Sequence, residues 1–85
     1  MKVLHLVRGA GDIRASRTIA SLEGLEGVQQ TLVMIQDGVY AQDLDFPAVA
    51  CSEDARARGI DVALELVDYE RIVQLIFEHD RVITW

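Results

Sequence analysis

Short apolar runs rich in β-branched residues alternate along this chain with segments that begin at a helix-capping residue and carry apolar side chains at helical spacing. This alternation predicts strands joined through helical crossovers, and hence a parallel sheet with helices on both faces. We therefore expect a single three-layer α/β/α domain, spanning residues 1–85, with a five-stranded parallel sheet. The predicted strands are Lys2–Val7, Thr31–Ile35, Ala48–Cys51, Ala63–Val67 and Arg81–Trp85.

Capping residues and apolar spacing predict three helices between these strands. Asp12 is a candidate N-cap for a helix that runs to about Glu23, and Ser52 is a candidate N-cap for a short second helix. Asp68 is the corresponding residue of the third helix. The pattern leaves open whether Tyr40–Leu44 is a short helix or a loop. The third helix is expected to bury a face made of Tyr69, Ile72, Val73 and Ile76.

Charge and cysteine content exclude several classes of function. The chain has 8 Lys and Arg against 14 Asp and Glu, which gives a formal net charge of −6. Because nucleic-acid backbones and anionic membranes are bound by clustered cations, we expect neither as a direct partner. No apolar run reaches the ~18–20 residues of a membrane helix, and no signal-peptide cleavage site follows the first strand. A single cysteine cannot form an internal disulfide or a zinc cluster, so the expected compartment is the reducing cytoplasm.

Hydrophobic content suggests that the chain works in an assembly. Hydrophobic residues make up 51% of the sequence. A chain of this size buries only roughly 60–65% of its unfolded surface, so some apolar side chains have no place in its own interior. We therefore expect burial against another subunit, although exposed apolar atoms are also normal on any protein.

Cys51 is the residue with the most chemical interest. It ends a predicted strand directly before a helix, and the carboxyl ends of parallel strands are where ligands and reactive groups gather. Amide groups at a helix start lower a thiol pKa, whereas the neighbouring acids Glu53 and Asp54 oppose a thiolate. The alternative is a small buried hydrophobe, the common fate of a free cysteine.

Other kinds of chemistry find little support. The Val7–Asp12 turn opens a helix, but Arg14 stands where a dinucleotide-binding loop has its third glycine, which disfavours a nucleotide-binding flavodoxin-like module. His5 lies inside the first strand, as expected of a core imidazole. His79 lies near the end of the last helix, and neither histidine has metal-ligand spacing. We expect no metal and no organic cofactor.

Several segments taken together resemble the DsrE/DsrF/DsrH family of sulfur-relay proteins, and most of all its DsrH/TusB branch. The segments that carry the resemblance are Leu4–His5, Asp37–Ala41, Glu53–Gly59, Val67–Tyr69 and Val82–Trp85. Their order and spacing extend the resemblance over essentially the whole chain.

The resemblance implies a compact α/β/α domain and a role in relaying sulfur as cysteine persulfide, without a metal or organic cofactor. DsrH/TusB proteins are small subunits of complexes with DsrE/TusD-like and DsrF/TusC-like partners, and some small relatives form homo-oligomers. Such complexes pass sulfur to a downstream acceptor protein, either for 2-thiouridine at the tRNA wobble position or in oxidative sulfur metabolism. Any activity of this chain is at most that of a sulfurtransferase-type sulfur carrier.

The resemblance also bears on Cys51. DsrH proteins share a cysteine in the first helix, where this sequence has Ala20 and Ser21. Cys51 stands eight residues before Gly59, the place where TusD/DsrE subunits carry their persulfide cysteine. Cys51 is thus a candidate persulfide carrier; the alternative is a structural or interaction subunit with no chemistry of its own.

Four further residues are candidates for the site or for a subunit contact. Asp37, Gly38 and Tyr40 follow the second strand, either beside the persulfide site, at a subunit contact, or simply in a turn. Trp85 either anchors an interface or closes the small core.

Overall fold

A single parallel sheet organises the domain. The computed structural model describes residues 1–41 and 44–85, and within them the sheet has five strands in the order β4-β3-β2-β1-β5, all neighbours parallel. The predicted α/β class and strand number are confirmed. The elements are β1 Lys2–Val7, α1 Ile13–Glu23, β2 Gln29–Met34, a 3₁₀ turn Gln36–Tyr40, β3 Val49–Cys51, α2 Ser52–Ala57, β4 Glu65–Val67, α3 Tyr69–Glu78 and β5 Arg81–Thr84.

Two helix starts follow the capping residues that the sequence predicts. The Ala15 amide donates to Asp12 Oδ1 over 3.1 Å at the start of α1. The Arg71 amide donates to Asp68 Oδ1 over 2.8 Å at the start of α3. Each carboxylate satisfies an amide that would otherwise lack a partner in the first helical turn.

The predicted N-cap of α2 is wrong by one residue. Cys51 holds the N-cap position with an extended backbone, and Ser52 is already the first helical residue. The strand therefore passes into the helix with no connecting residue. Because Ser52 has helical geometry, its hydroxyl turns to Glu53, donating to Oε1 over 2.8 Å.

Helices cover both faces of the sheet. On one face, α3 residues Ile72 and Leu75 form a core cluster with Leu4, Val33 and Cys51 of the strands. On the opposite face, Ala15 and Ile19 of α1 pack on Leu32 of β2. Strand side chains alternate between the two faces, so neighbours such as Leu32 and Val33 serve opposite clusters. None of the helices in the described residues is long and apolar enough to cross a membrane.

The predicted buried face of α3 is only partly right. Ile72 is buried as expected, and Leu75 is buried beside it. Tyr69, Val73 and Ile76 are exposed instead. The apolar residues of α3 span a wider arc of the helix surface than the sheet covers. Their spacing in the sequence therefore does not show which of them are buried.

Strand and turn boundaries differ slightly from the expectation. The fourth strand begins at Glu65 rather than Ala63, and the fifth ends at Thr84 rather than Trp85. Tyr40 ends the 3₁₀ turn. The remainder of the undecided Tyr40–Leu44 segment includes positions 42 and 43, which lie outside the described residues.

Candidate functional site

The Cys51 sulfur lies inside the domain, at the carboxyl end of β3. Its side chain belongs to the core cluster between the sheet and α3, and the residue has 0% of its surface exposed. The sulfur donates a hydrogen bond to Glu53, whose Oε1 accepts from Sγ at 3.8 Å. The position in the chain is the predicted one, but the thiol is sealed within this chain by hydrocarbon on one side and a carboxylate on the other.

Burial raises the pKa of the Cys51 thiol. The Asp54 and Glu53 amides oppose this rise, while the negative charge of Asp54 adds to it. Both effects that the sequence indicates are thus present: the helix amides lower the pKa of Cys51, and a neighbouring acid raises it. Desolvation, which follows from the burial that the sequence left open, is the largest effect, and it favours the neutral and unreactive thiol.

Glu53 joins the start of α2 to the start of α3. Besides accepting from Ser52 and Cys51 through Oε1, it accepts the Tyr69 amide through Oε2 over 3.2 Å. The Ser52 hydroxyl, followed by the Tyr69 amide, lowers the pKa of Glu53. The carboxylate is therefore held in its charged form, with Oε1 3.8 Å from the sulfur.

Asp54 makes a second bridge at the same edge of the sheet. Its Oδ2 accepts the Gln36 amide over 2.7 Å, and its Oδ1 accepts the Tyr69 hydroxyl over 2.8 Å. Burial acts to raise the pKa of Asp54, but these two donors, together with Cys51 and the charge of Arg58, outweigh it, so the pKa is lowered. In return, the Asp54 carboxylate raises the pKa of Tyr69 to about 12.

Gln36 has an unusual backbone conformation beside this bridge. Its φ of +50° lies in the left-handed region, where a non-glycine residue is strained by roughly 1–3 kcal/mol. The bond from its amide to Asp54 offsets part of that strain. Strained residues of this kind concentrate at functional sites, which makes this edge the best candidate site of the domain.

The structure brings one of the other predicted site residues to this edge. Asp37 Oδ1 accepts the Arg58 Nε donor over 3.0 Å, and Arg58 also donates to the Asp54 carbonyl oxygen over 3.2 Å. Asp37 is thereby tied to α2. Gly38 packs behind it, so close to β1 that a Cβ there would overlap the carbonyl oxygen of Val7.

Tyr40 and Trp85 lie elsewhere. Tyr40 is half-exposed and lines two clefts, of about 600 and 290 Å³. Trp85 packs with Ala15 and Ile19 on the α1 side of the sheet, whereas Cys51 belongs to the α3 side. The predicted residues therefore do not converge on one site.

The smaller cleft lies at the Val7–Asp12 turn, the segment first compared with a phosphate-binding loop. Asp12 caps α1 with its own carboxylate and lines this cleft. A negative charge at the helix start repels phosphate, which agrees with the rejection of a nucleotide-binding loop.

Two residues of the site were missed by sequence reasoning. Tyr69 was assigned to a buried apolar face, and Gln36 was not singled out. Tyr69 directly follows the N-cap Asp68, and a phenol in the first turn of a helix can reach across to a neighbouring helix start. No signal in the sequence marks Gln36, because its role depends on which strands lie side by side.

Comparison with known proteins supports the fold. No protein-family profile and no curated protein matches this chain. The crystal structure of the ychN protein from E. coli is similar to it, with a TM-score of 0.78 and 18% sequence identity, covering 100% of this chain and 99% of that one. At this identity the likeness establishes the architecture, which extends over the whole of both chains.

Proposed function

We propose that this chain is a subunit of a sulfur-relay complex of the DsrE/DsrF/DsrH type, and that its role is to bind partner proteins rather than to carry sulfur itself. The motif resemblance along the chain and the full-length likeness to ychN support the relay. The burial of the Cys51 sulfur supports the non-carrier role, because a neutral thiol with no exposed surface is a poor nucleophile.

The proposed partners follow from the resemblance. They are DsrE/TusD-like and DsrF/TusC-like subunits or further copies of this chain, acting in the cytoplasm with a downstream sulfur acceptor. The relay serves either wobble-uridine thiolation or sulfur oxidation. A net charge of −6 favours an indirect effect on tRNA, through the protein that receives the sulfur.

Complementation in the source organism tests the non-carrier role. A strain that lacks the gene should lose 2-thiouridine or sulfur oxidation, and both the wild-type chain and the Cys51→Ser variant should restore it. Cys51→Ala serves as a second replacement that buries no hydroxyl. If both variants assemble normally yet fail to restore the product, the thiol is needed and the non-carrier role is wrong.

The second candidate is a sulfur carrier, favoured by the position of Glu53. The Glu53 side chain, which is itself partly exposed, accepts from the sulfur at 3.8 Å. A donor that displaced Glu53 would meet Cys51 at the carboxyl end of β3. The Cys51 thiolate would then attack the outer sulfur of a donor persulfide. The donor sulfur–sulfur bond would break, the donor would leave as a thiolate, and Cys51 would hold the persulfide.

Intact-mass measurement separates the two candidates. The folded chain is incubated with an alkyl persulfide, with Cys51→Ser as the matched control. A gain of one sulfur atom that Cys51→Ser lacks would establish the carrier. An unchanged mass in the wild-type chain agrees with the binding role.

A further inference from the structure

The α3 helix exposes an apolar stripe that the domain itself does not use. Ile72 and Leu75 are buried against the sheet at 7% and 8% exposure. The stripe consists of Tyr69, Val73, Ile76 and Phe77, which are exposed to 52%, 51%, 36% and 84%. At 3.6 residues per turn these four positions fall within about 100° of the helix circumference, beside the buried face.

Isolated exposed apolar residues are ordinary, but this group is contiguous. Four large side chains share one side of a helix of ten residues. Phe77 has almost no contact with the rest of the domain, so it contributes little to folding. A contiguous apolar patch of this kind is often functional, and contact with another protein is one of its common uses.

We propose that the α3 stripe packs against the same stripe of a second copy of this chain, around a twofold axis that passes near Val73. The inference rests on the proposed function only in that the chain works within an assembly. It identifies one partner, another copy, and one surface.

The spacing of the stripe is self-complementary. Tyr69, Val73 and Phe77 follow one another at intervals of four residues. When two such helices lie antiparallel with Val73 at the axis, Tyr69 of each copy lies opposite Phe77 of the other. The smaller valines meet in the middle, where the helices approach most closely. Twofold contacts of this kind pair one patch with itself, and aromatic pairs stabilise it beyond the area that they bury.

The available area fits a weak dimer. An aromatic side chain buries roughly 150–250 Å², and an aliphatic one somewhat less. Scaled by their exposed fractions, the two aromatic and two aliphatic residues of the stripe together offer about 400 Å² per copy. Two copies with the stems of Glu70 and Gln74 bury roughly 1,000 Å², the lower limit for a specific interface. We therefore expect reversible dimerisation, with a dissociation constant on the order of 10–100 μM.

Charge determines how the dimer responds to salt. With Val73 at the axis, Glu70 of each copy lies level with Ile76 of the other, at the border of the stripe. The carboxylates of Glu53 and Asp54, which are bonded to Tyr69, and of Glu78, which follows Phe77, lie at the two ends of the contact. Each copy also carries a net charge of −6, so repulsion between the copies opposes association. Salt screens that repulsion, and the dimer should become more stable as ionic strength rises.

Sedimentation equilibrium over a range of concentrations tests the proposal. The wild-type chain should pass from monomer to dimer, more readily at high salt. Phe77→Ser should weaken association at least about tenfold, because Phe77 is the largest contact. The matched control is Leu25→Ser, since Leu25 is also an exposed apolar residue, at 53%, but lies outside α3. Leu25→Ser should associate like the wild type, and both variants should unfold at nearly the wild-type temperature.

Three results would overturn the second-copy interface. The first is a wild-type chain that remains monomeric up to about 1 mM. The second is equal association by Phe77→Ser and Leu25→Ser, which would place the contact elsewhere. The third is dimerisation that weakens with salt. These outcomes concern association alone, whereas failure of the sulfur-relay proposal would appear in the product measured in cells, so the two failures are distinguishable.

Discussion

The indole N–H of Trp85 donates a hydrogen bond to Nδ1 of His5 over 3.1 Å, on the face of the sheet that α1 covers. Because Nδ1 accepts this bond, the proton of the neutral imidazole is on Nε2, from which it is donated to Gln30 Oε1 over 2.8 Å. Gln30 continues the chain of donors to the carbonyl oxygen of Ile19 and to Glu23. The network connects α1, β1 and β2 to the residue after β5, and it is complete only while His5 is neutral.

This arrangement predicts an acid-labile core. Burial lowers the pKa of His5 below its ordinary 6.5, although the Gln30 hydrogen bond opposes the shift. Below pH 6.5 the unfolded chain therefore binds the proton more readily than the folded chain. The free energy of unfolding should be at its full value above pH 6.5 and fall as the pH drops towards the folded pKa, by at most about 1.4 kcal/mol per pH unit.

Urea unfolding at a series of pH values, followed by the fluorescence of the single tryptophan, measures this slope. His5→Gln should remove it, whereas His79→Gln, which leaves the network intact, should retain it. Stability that does not change from pH 7 to pH 5 in the wild-type chain would contradict the prediction.

The Tyr69–Asp54 bond predicts an unusual phenol. The pKa of Tyr69 is raised to about 12, chiefly because ionisation would remove the hydrogen bond that the hydroxyl donates to Asp54, and also because it would place a second negative charge against that carboxylate. The chain has two tyrosines, so Tyr40→Phe leaves Tyr69 as the only phenol. Ultraviolet titration of that variant should give a midpoint near 12, and adding Asp54→Asn should bring it down towards 10. A midpoint near 10 in Tyr40→Phe, with the fold intact by circular dichroism, would show that the bond does not form.

Local features of this fold were predictable from sequence, whereas contacts between elements were not. Asp12 and Asp68 cap their helices as expected, because an N-cap acts on amides only two or three residues away. The buried side of α3 depends on the width of the sheet beneath it. The bridge from Asp54 to Gln36 depends on β2 and β3 lying side by side, which strand order alone decides.

Cys51 illustrates both cases. Its place between a strand and a helix was correctly read, since strand and helix boundaries leave a local pattern. Whether it is buried was left open, since the residues that cover it come from β1, β2 and α3. Chemical reactivity depends on that covering, so a reactive cysteine cannot be recognised from its position in the chain.

Gly38 is predicted to tolerate no side chain. Its backbone lies against the carbonyl of Val7, and that carbonyl also accepts the Ile35 amide over 2.9 Å, so it cannot move freely. Gly38→Ala should lower the free energy of unfolding by about 1–3 kcal/mol, the usual cost of overpacking. Gly24→Ala is the matched control, because a Cβ at Gly24 meets nothing within 4 Å. Gly24→Ala should change stability by less than about 0.5 kcal/mol in urea unfolding, and equal effects of the two substitutions would contradict the packing argument.

The Cys51 thiol is predicted to react only when the chain opens. Its sulfur has no exposed surface, and burial raises its pKa, so both access and thiolate content are low in the folded state. Labelling with a chromogenic disulfide at pH 8 should be at least about a hundredfold slower in the native chain than in urea, as expected when opening of a stable core limits reaction. Glu53→Gln tests the cover: it retains the side-chain shape but removes the charge, so labelling should remain slow. Native labelling as fast as in urea would mean that the thiol is open to solvent, and the sulfur-carrier role would then become the better explanation of this site.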